Sequence, residues 1–197
     1  YGECVATGQH AIDSHFGGLA IGSLSVIAGY QHVGKSEFIW NIASALHAPC
    51  LYLGTPPSPR SVRVDLHIDG SPHDDLGVIV GLLHEAHRHL GINAVFIDDC
   101  ERYVGVRYTS RRSKLRRSFL RLPAQLGIAV VAAYSVTDRA SEDRRARWSD
   151  LRGTVLEDPD LLMLLHRESD VPRIGTLHAI CQDGHSPTVT ERVYLRS

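Results

Sequence analysis

The sequence predicts an α/β fold, a twisted, mostly parallel sheet flanked by helices on both faces. Three observations predict it. Short apolar runs alternate along the chain with stretches of helical periodicity, as a sheet covered by helices requires. A glycine-bounded segment, Gly29–Ser36, stands between a buried-strand pattern and a helix pattern. A second apolar run, Ala94-Val95-Phe96-Ile97, ends in an acidic pair, Asp98-Asp99.

The elements follow in order. Leu24-Ser25-Val26-Ile27-Ala28 reads as a buried strand, and a helix is expected over residues 36–47. Leu51-Tyr52-Leu53 reads as the next strand. Pro56-Pro57-Ser58-Pro59 fits neither a helix interior nor a central strand, so it marks a loop. Residues 62–68 alternate apolar and polar like a further strand. Leu76, Ile79, Leu83, Ala86 and Leu90 recur at helical spacing, which predicts an amphipathic helix over 75–90. Leu115, Phe119, Leu122 and Leu126 mark one face of another helix, which Pro123 should kink or shorten. Strands are expected at 128–133, 161–165 and 176–180, with a last one near 189–195.

At 197 residues the chain suits one compact domain spanning 1–197, with 43% hydrophobic and 22% charged residues. It begins at Tyr1, which fits a piece of a longer protein. Its net charge of −1 hides an asymmetry: residues 102–152 hold thirteen Arg and Lys against four Asp and Glu. One face is thereby expected to meet an anionic partner. Cys4, Cys50, Cys100 and Cys181 are scattered without a CxxC pair, which argues against a disulfide scaffold or zinc ribbon and for reduced thiols in the cytoplasm. No apolar run approaches the roughly 20 residues of a bilayer span, and no signal-peptide pattern is visible, so no membrane partner is expected.

Gly29-Tyr30-Gln31-His32-Val33-Gly34-Lys35-Ser36 fits the phosphate-loop pattern G-x-x-x-x-G-K-S. Its glycines let backbone N–H groups converge on phosphate oxygens at the positive end of the following helix. Lys35 would reach the β- and γ-phosphates of ATP or ADP, and the Ser36 hydroxyl would ligate Mg²⁺. The alternative is a plain tight turn, which the strand-loop-helix context disfavours. Asp98 supplies a second carboxylate for the hydrated Mg²⁺, although an Asp after four apolar residues also suits a helix cap. Lys35, Asp98 and Asp99 are the candidate catalytic residues.

Thr7-Gly8, Ile12-Asp13, Gly17-Gly18-Leu19 and Gly22 ahead of the phosphate loop resemble the start of DnaB-type replicative helicase ATPase domains and their RecA/RadA relatives. Ser149-Asp150-Leu151-Arg152-Gly153, Asp158-Pro159-Asp160-Leu161 and His166-Arg167 resemble the helicase pattern S-D-L-R-x-S, x-D-A-D, x-x-R. The likeness runs in order through the chain, compressed between Leu53 and Val62. It implies a RecA-like sheet, an ATP-driven motor acting on single-stranded DNA, and assembly as a homo-oligomeric ring. It leaves two other readings open, a non-catalytic nucleotide-binding paralogue that sets assembly and a RadA-like recombinase paralogue.

The departures bear on turnover. In that family a Glu ends the strand after the phosphate-loop helix and orients the attacking water; here the position falls on Thr55. The family's γ-phosphate-sensing Gln falls near Ser135, and its K-x-R finger falls on Cys181-Gln182-Asp183. Asp99 is left as a substitute base, and low intrinsic turnover is expected.

The basic region includes Arg111, Arg112, Lys114, Arg116 and Arg117 on the helix, and Arg144, Arg145 and Arg147 after the strand expected at 128–133. The resemblance implies that these regions grip single-stranded DNA, whose backbone such clusters bind in a salt-dependent way. A solvated helix face with intersubunit ion pairs is the competing explanation. His84, His87 and His89 lack the metalloprotease spacing and read as a polar helix flank.

Overall fold

The computed structural model describes residues 3–57, 66–70, 76–100, 110–136, 146–147, 159–167, 174–181 and 189–194. In chain order the elements are β1 (Cys4–Val5), α1 (His10–Phe16), β2 (Leu19–Ala20), β3 (Leu24–Gly29), α2 (Lys35–Ala45), β4 (Cys50–Leu53) and β5 (Leu66–Asp69). They continue as α3 (Leu76–Leu90), β6 (Ala94–Ile97), α4 (Ser110–Leu126), β7 (Ala129–Ser135), β8 (Leu161–Arg167), β9 (Ile174–Cys181) and β10 (Val189–Tyr194).

Eight strands form one sheet in the order β10-β9-β8-β3-β7-β6-β4-β5. The pairings from β8 through β5 are parallel, and β9 and β10 extend that sheet as antiparallel strands. All six residues of β3 are buried, as are the four of β4 and of β6. Such unbroken apolar runs are what parallel strands covered on both faces require.

Each face has its own core. One packs Ala11 and Ile12 of α1 and Phe38, Ile39, Trp40 and Ile42 of α2 against Ile27, Tyr52, Phe96 and Val131. The other packs Leu76, Ile79 and Leu83 of α3 and Phe119 and Leu122 of α4 against Val26, Leu53, Val95 and Val130. Alternation along each strand sends neighbours to opposite cores: Val26 faces one and Ile27 the other. Burying one such side chain contributes about 1.5–3 kcal/mol, so these two layers carry most of the stability.

Three expectations need correction. The helix expected over 36–47 stops at Ala45. Pro123 does not shorten α4, which runs through it to Leu126. An interior proline costs a helix hydrogen bond and crowds the preceding turn, but here Phe119, Leu122 and Pro123 itself are buried, and the Pro123 carbonyl accepts from Ile128 N at 3.1 Å. Leu90 continues the α3 periodicity but is 42% exposed, because the helix ends there, beyond the sheet. The strand expected over 62–68 is seen as Leu66–Asp69, and its first residues lie outside the described ones. No described helix is long and apolar enough to cross a membrane.

Sequence periodicity does not foresee the β1-α1-β2 unit. Asp13 organises it: its Oδ1 accepts from the N–H and the hydroxyl of Thr7, and its Oδ2 from Gly8 N, all at 2.8 Å. Thr7, Gly8 and Asp13 of the opening motif are thus a scaffold element. Asp160 acts similarly at the sheet centre, accepting from Leu24 N at 2.7 Å while its own N–H donates to the Leu24 carbonyl at 2.9 Å. Asp13→Ala removes three charge-assisted bonds and should lower unfolding stability by about 1–3 kcal/mol. Urea denaturation measures it, and an unchanged midpoint would mean that other contacts hold this turn.

Candidate functional site

Parallel pairing places the carboxyl ends of β3, β4, β6, β7 and β8 on one edge of the sheet, where ligands of open α/β folds bind. Gly29 ends β3 in register with Ser135 of β7. Gly29 is required by close approach, because a Cβ there would sit 2.5 Å from the Leu165 carbonyl oxygen and 2.9 Å from Val33. The chain then curls, with His32 and Gly34 at positive φ of 62° and 97°, and α2 starts at Lys35. This is the strand-loop-helix geometry expected of a phosphate loop.

A cleft of about 660 Å³ opens over this loop, lined by Gln31, His32, Gly34, Lys35, Ser36, Glu37, Pro57, Asp99, Ser135 and Arg167. Val33 faces the core, and Tyr30 is half-buried against both apolar layers. Lys35 is only 7% exposed, and its Nζ donates to the Tyr30 carbonyl at 2.7 Å, which holds the ammonium inside the loop. Arg167, at the end of β8, donates from Nη1 to the His32 carbonyl at 3.3 Å, so a second cation borders the same loop.

Across the cleft, Asp98 follows β6 and anchors to β4 through its N–H on the Leu53 carbonyl at 2.9 Å. Its Oδ1 accepts from the Ser36 hydroxyl at 2.9 Å and from Asp99 N at 3.0 Å, and its Oδ2 from the Tyr52 hydroxyl at 3.2 Å. Asp99 holds a positive φ of 49°. A hydroxyl beside a carboxylate at a loop presenting N–H groups is a hard-oxygen donor set of the kind Mg²⁺ takes together with phosphate oxygens. The residues present therefore fit a nucleotide with its cation.

Other expected residues are not brought to the cleft. Thr55 is exposed and does not line it, whereas Ser135 does, 7% exposed. Cys181 ends β9, and Gln182 and Asp183 lie outside the described residues. Arg111, Arg112, Lys114, Arg116 and Arg117 fall on α4, where Arg117 is exposed; Arg147 is exposed, and Arg144 and Arg145 lie outside the described residues. His84 and His89 are exposed on α3, and no metal-binding cluster of His, Cys, Asp and Glu occurs among the described residues. Sequence reasoning does not foresee Glu37 or Tyr52. The signal for Glu37 is its place directly after Ser36, in the first turn of α2; that for Tyr52 is a polar atom inside an otherwise apolar strand.

Burial raises the Asp98 carboxyl above its ordinary 3.8; the Ser36 hydroxyl pulls it back, the Asp99 charge raises it, and Tyr52 and the Asp99 amide lower it. With the folded value raised, the unfolded chain releases this proton first as pH climbs. The stability contribution is full below 3.8 and is lost as pH rises through the folded value. Asp98→Asn should therefore raise the unfolding midpoint at pH 7 in EDTA, with the gain vanishing below pH 3.8. Thermal unfolding of the two proteins across pH checks this; destabilisation at pH 7 would mean that the carboxylate's hydrogen bonds outweigh its burial.

No family model matches the chain. It is 33% identical over 142 residues to the replicative DNA helicase DnaB of Leifsonia xyli subsp. xyli (strain CTCB07), an alignment covering 65% of this chain and 31% of that protein. Its fold superposes on a solved ATPase domain with a TM-score of 0.78 at 16% identity, covering 98% of this chain and 88% of that one. A DnaB-like replicative helicase, solved in a study of its interactions with primase, gives a TM-score of 0.78 at 17% identity, with coverage of 98% and 61%. The chain thus spans about a third of the curated relative it matches. In sequence it is similar to a DnaB replicative helicase, and in fold it is a RecA-like α/β unit of the kind found in DnaB-type ATPase domains.

Proposed function

We propose that this chain is the ATP-binding motor domain of a DnaB-like DNA helicase, with weakened hydrolysis. One observation carries the reading: Ser36 of the loop is hydrogen-bonded to Asp98 across the same cleft that Lys35 borders. ATP or ADP would sit with its phosphates over Gly29–Ser36, Lys35 countering their charge and Ser36 and Asp98 holding Mg²⁺. Bound Mg²⁺ neutralises phosphate charge and orients the terminal phosphoryl group. The basic residues of α4 and of 144–147 would track the backbone of single-stranded DNA, and a ring of identical subunits would complete each site from its neighbour. Support for both comes from the similarity to DnaB and from the concentration of positive charge between residues 102 and 152.

Binding and turnover separate on chemical grounds. Binding needs the loop, Lys35, Ser36 and Asp98. Turnover also needs a group to orient water and cations to stabilise charge on the γ-phosphoryl in the transition state. Among the described residues the carboxylates lining the cleft are Glu37 and Asp99, and Thr55 is exposed and does not line it. That observation also favours a second reading, a nucleotide-binding module that sets assembly without turning over ATP. DNA-stimulated turnover separates the two.

Lys35→Ala deletes a charge-assisted contact to phosphate, about 1.5–3 kcal/mol. A fluorescent ATP analogue should then bind about tenfold more weakly or worse, and equal affinity would sink the nucleotide assignment. Steady-state hydrolysis by the unmodified chain should run well below about one turnover per second, since a missing arginine finger alone costs a factor of about 10³–10⁵. The helicase reading requires this slow rate to rise with single-stranded DNA. A flat response favours the module, and brisk hydrolysis abolished by Asp99→Asn would identify Asp99 as an effective base.

A further inference from the structure

Tyr52 is among the largest fully buried side chains of the core, and it is the one among them with a hydroxyl. Its neighbours along β4, Cys50, Leu51 and Leu53, are all buried as well, and its partner in the next strand is Phe96. Packing at such a position is satisfied by an aromatic ring alone, so a phenylalanine would fill the same volume. What the hydroxyl brings to this layer is a donor to Asp98 Oδ2 at 3.2 Å.

The ring itself is fixed. Trp40 meets it edge-on, with centroids 5.1 Å apart and planes at 86°, a geometry that aromatic pairs prefer. Trp40 belongs to α2, the helix that begins with Lys35 and Ser36. One packed chain therefore runs from the phosphate-loop helix through Trp40 and Tyr52 to the carboxylate after β6. That carboxylate has both oxygens engaged, Oδ1 by Ser36 and Asp99 N and Oδ2 by Tyr52. Gly54 closes on its stem, where an added Cβ would lie 2.7 Å from Asp98 Cβ.

We propose that Tyr52 is a positioning residue whose hydroxyl fixes the Asp98 carboxylate with Oδ1 turned toward Ser36, and so sets the affinity of this site for the divalent cation that accompanies nucleotide. The inference rests on the nucleotide-binding reading of the cleft. A carboxylate that rotates must be ordered again each time a cation binds, and a hydrogen bond from a locked ring removes that cost. Groups that orient a ligating side chain typically change metal affinity by about 10–100-fold when removed.

The test is binding of a fluorescent ATP analogue to the full chain, titrated with Mg²⁺ and repeated in EDTA, for wild type and Tyr52→Phe. The expected result is a half-saturating Mg²⁺ concentration raised about tenfold, with affinity in EDTA unchanged. In an Asp98→Asn background Tyr52→Phe should have no further effect, because the oriented carboxylate is gone. A wild-type Mg²⁺ midpoint in Tyr52→Phe overturns the inference, as does an equal loss in EDTA or an additive effect on Asp98→Asn. If Tyr52→Phe fails to fold, Trp40→Phe loosens the same ring and keeps the hydroxyl. Its Mg²⁺ midpoint should rise in the same direction, and an unchanged one overturns the proposal. Wild-type binding indifferent to both Mg²⁺ and Lys35→Ala sinks the nucleotide reading, and this inference with it. Normal Mg²⁺-dependent wild-type binding with an unmoved Tyr52→Phe sinks the inference alone.

Discussion

Parallel register is the constraint on which the cleft depends. Leu53 pairs with Ile97 and Ile97 with Ala132, so β4 and β6 finish at one level, while β3 and β7 run three residues further toward the same edge, to Gly29 paired with Ser135. The residue after each strand end then has nowhere to go but the same edge. This is why Asp98, sixty-two positions from Ser36, comes within 2.9 Å of its hydroxyl without any local sequence relation between them. A slip of one residue in β6 would turn every side chain of that strand to the opposite face and carry Asp98 out of reach. The two apolar layers make that slip expensive, since each strand has side chains committed to both.

The same placement runs against stability. The Lys35 ammonium lines the cleft and the Asp98 carboxylate lies behind Ser36, each 7% exposed, and burial disfavours the charged form of the carboxylate. The protein answers with neutral partners: two hydroxyls and an amide N–H donate to Asp98, and a loop carbonyl accepts from Lys35. These are partners that a phosphate or a cation can displace or join.

Much of this was legible in the sequence, and what was not has a physical cause. The phosphate loop is a local pattern, and the mostly apolar run Leu24–Ala28 directly before it reads as its strand. The Asp98 strand and the α3 stripe are equally local. Tyr52 was invisible as a site residue because its significance lies in a pairing across strands and a ring contact with α2, neither of which leaves a periodic trace. Strands β1 and β2 span two residues each, too short for alternation to register. Pro123 does not shorten its helix for the opposite reason: its local rule is sound, but burial of Phe119, Leu122 and Pro123 itself overrides it in the last turns of the helix.

A motif resemblance mixes two kinds of residue, and the structure sorts them. Asp13 and Asp160 hold backbone N–H groups, and neither lines the cleft. Lys35 and Ser36 line it at the start of α2, Gly29 opens the loop at the end of β3, and Asp98 meets the Ser36 hydroxyl from the end of β6. The positions where this chain departs from the family pattern, Thr55, Ser135 and Cys181, belong to a third set, the ends of strands β4, β7 and β9 or the residues just beyond them. None of the three lies within the Gly29–Ser36 loop, and strand pairing runs through backbone groups that every residue but proline supplies. A fold of this kind can therefore lose the groups that act on the γ-phosphoryl and keep those that hold a nucleotide.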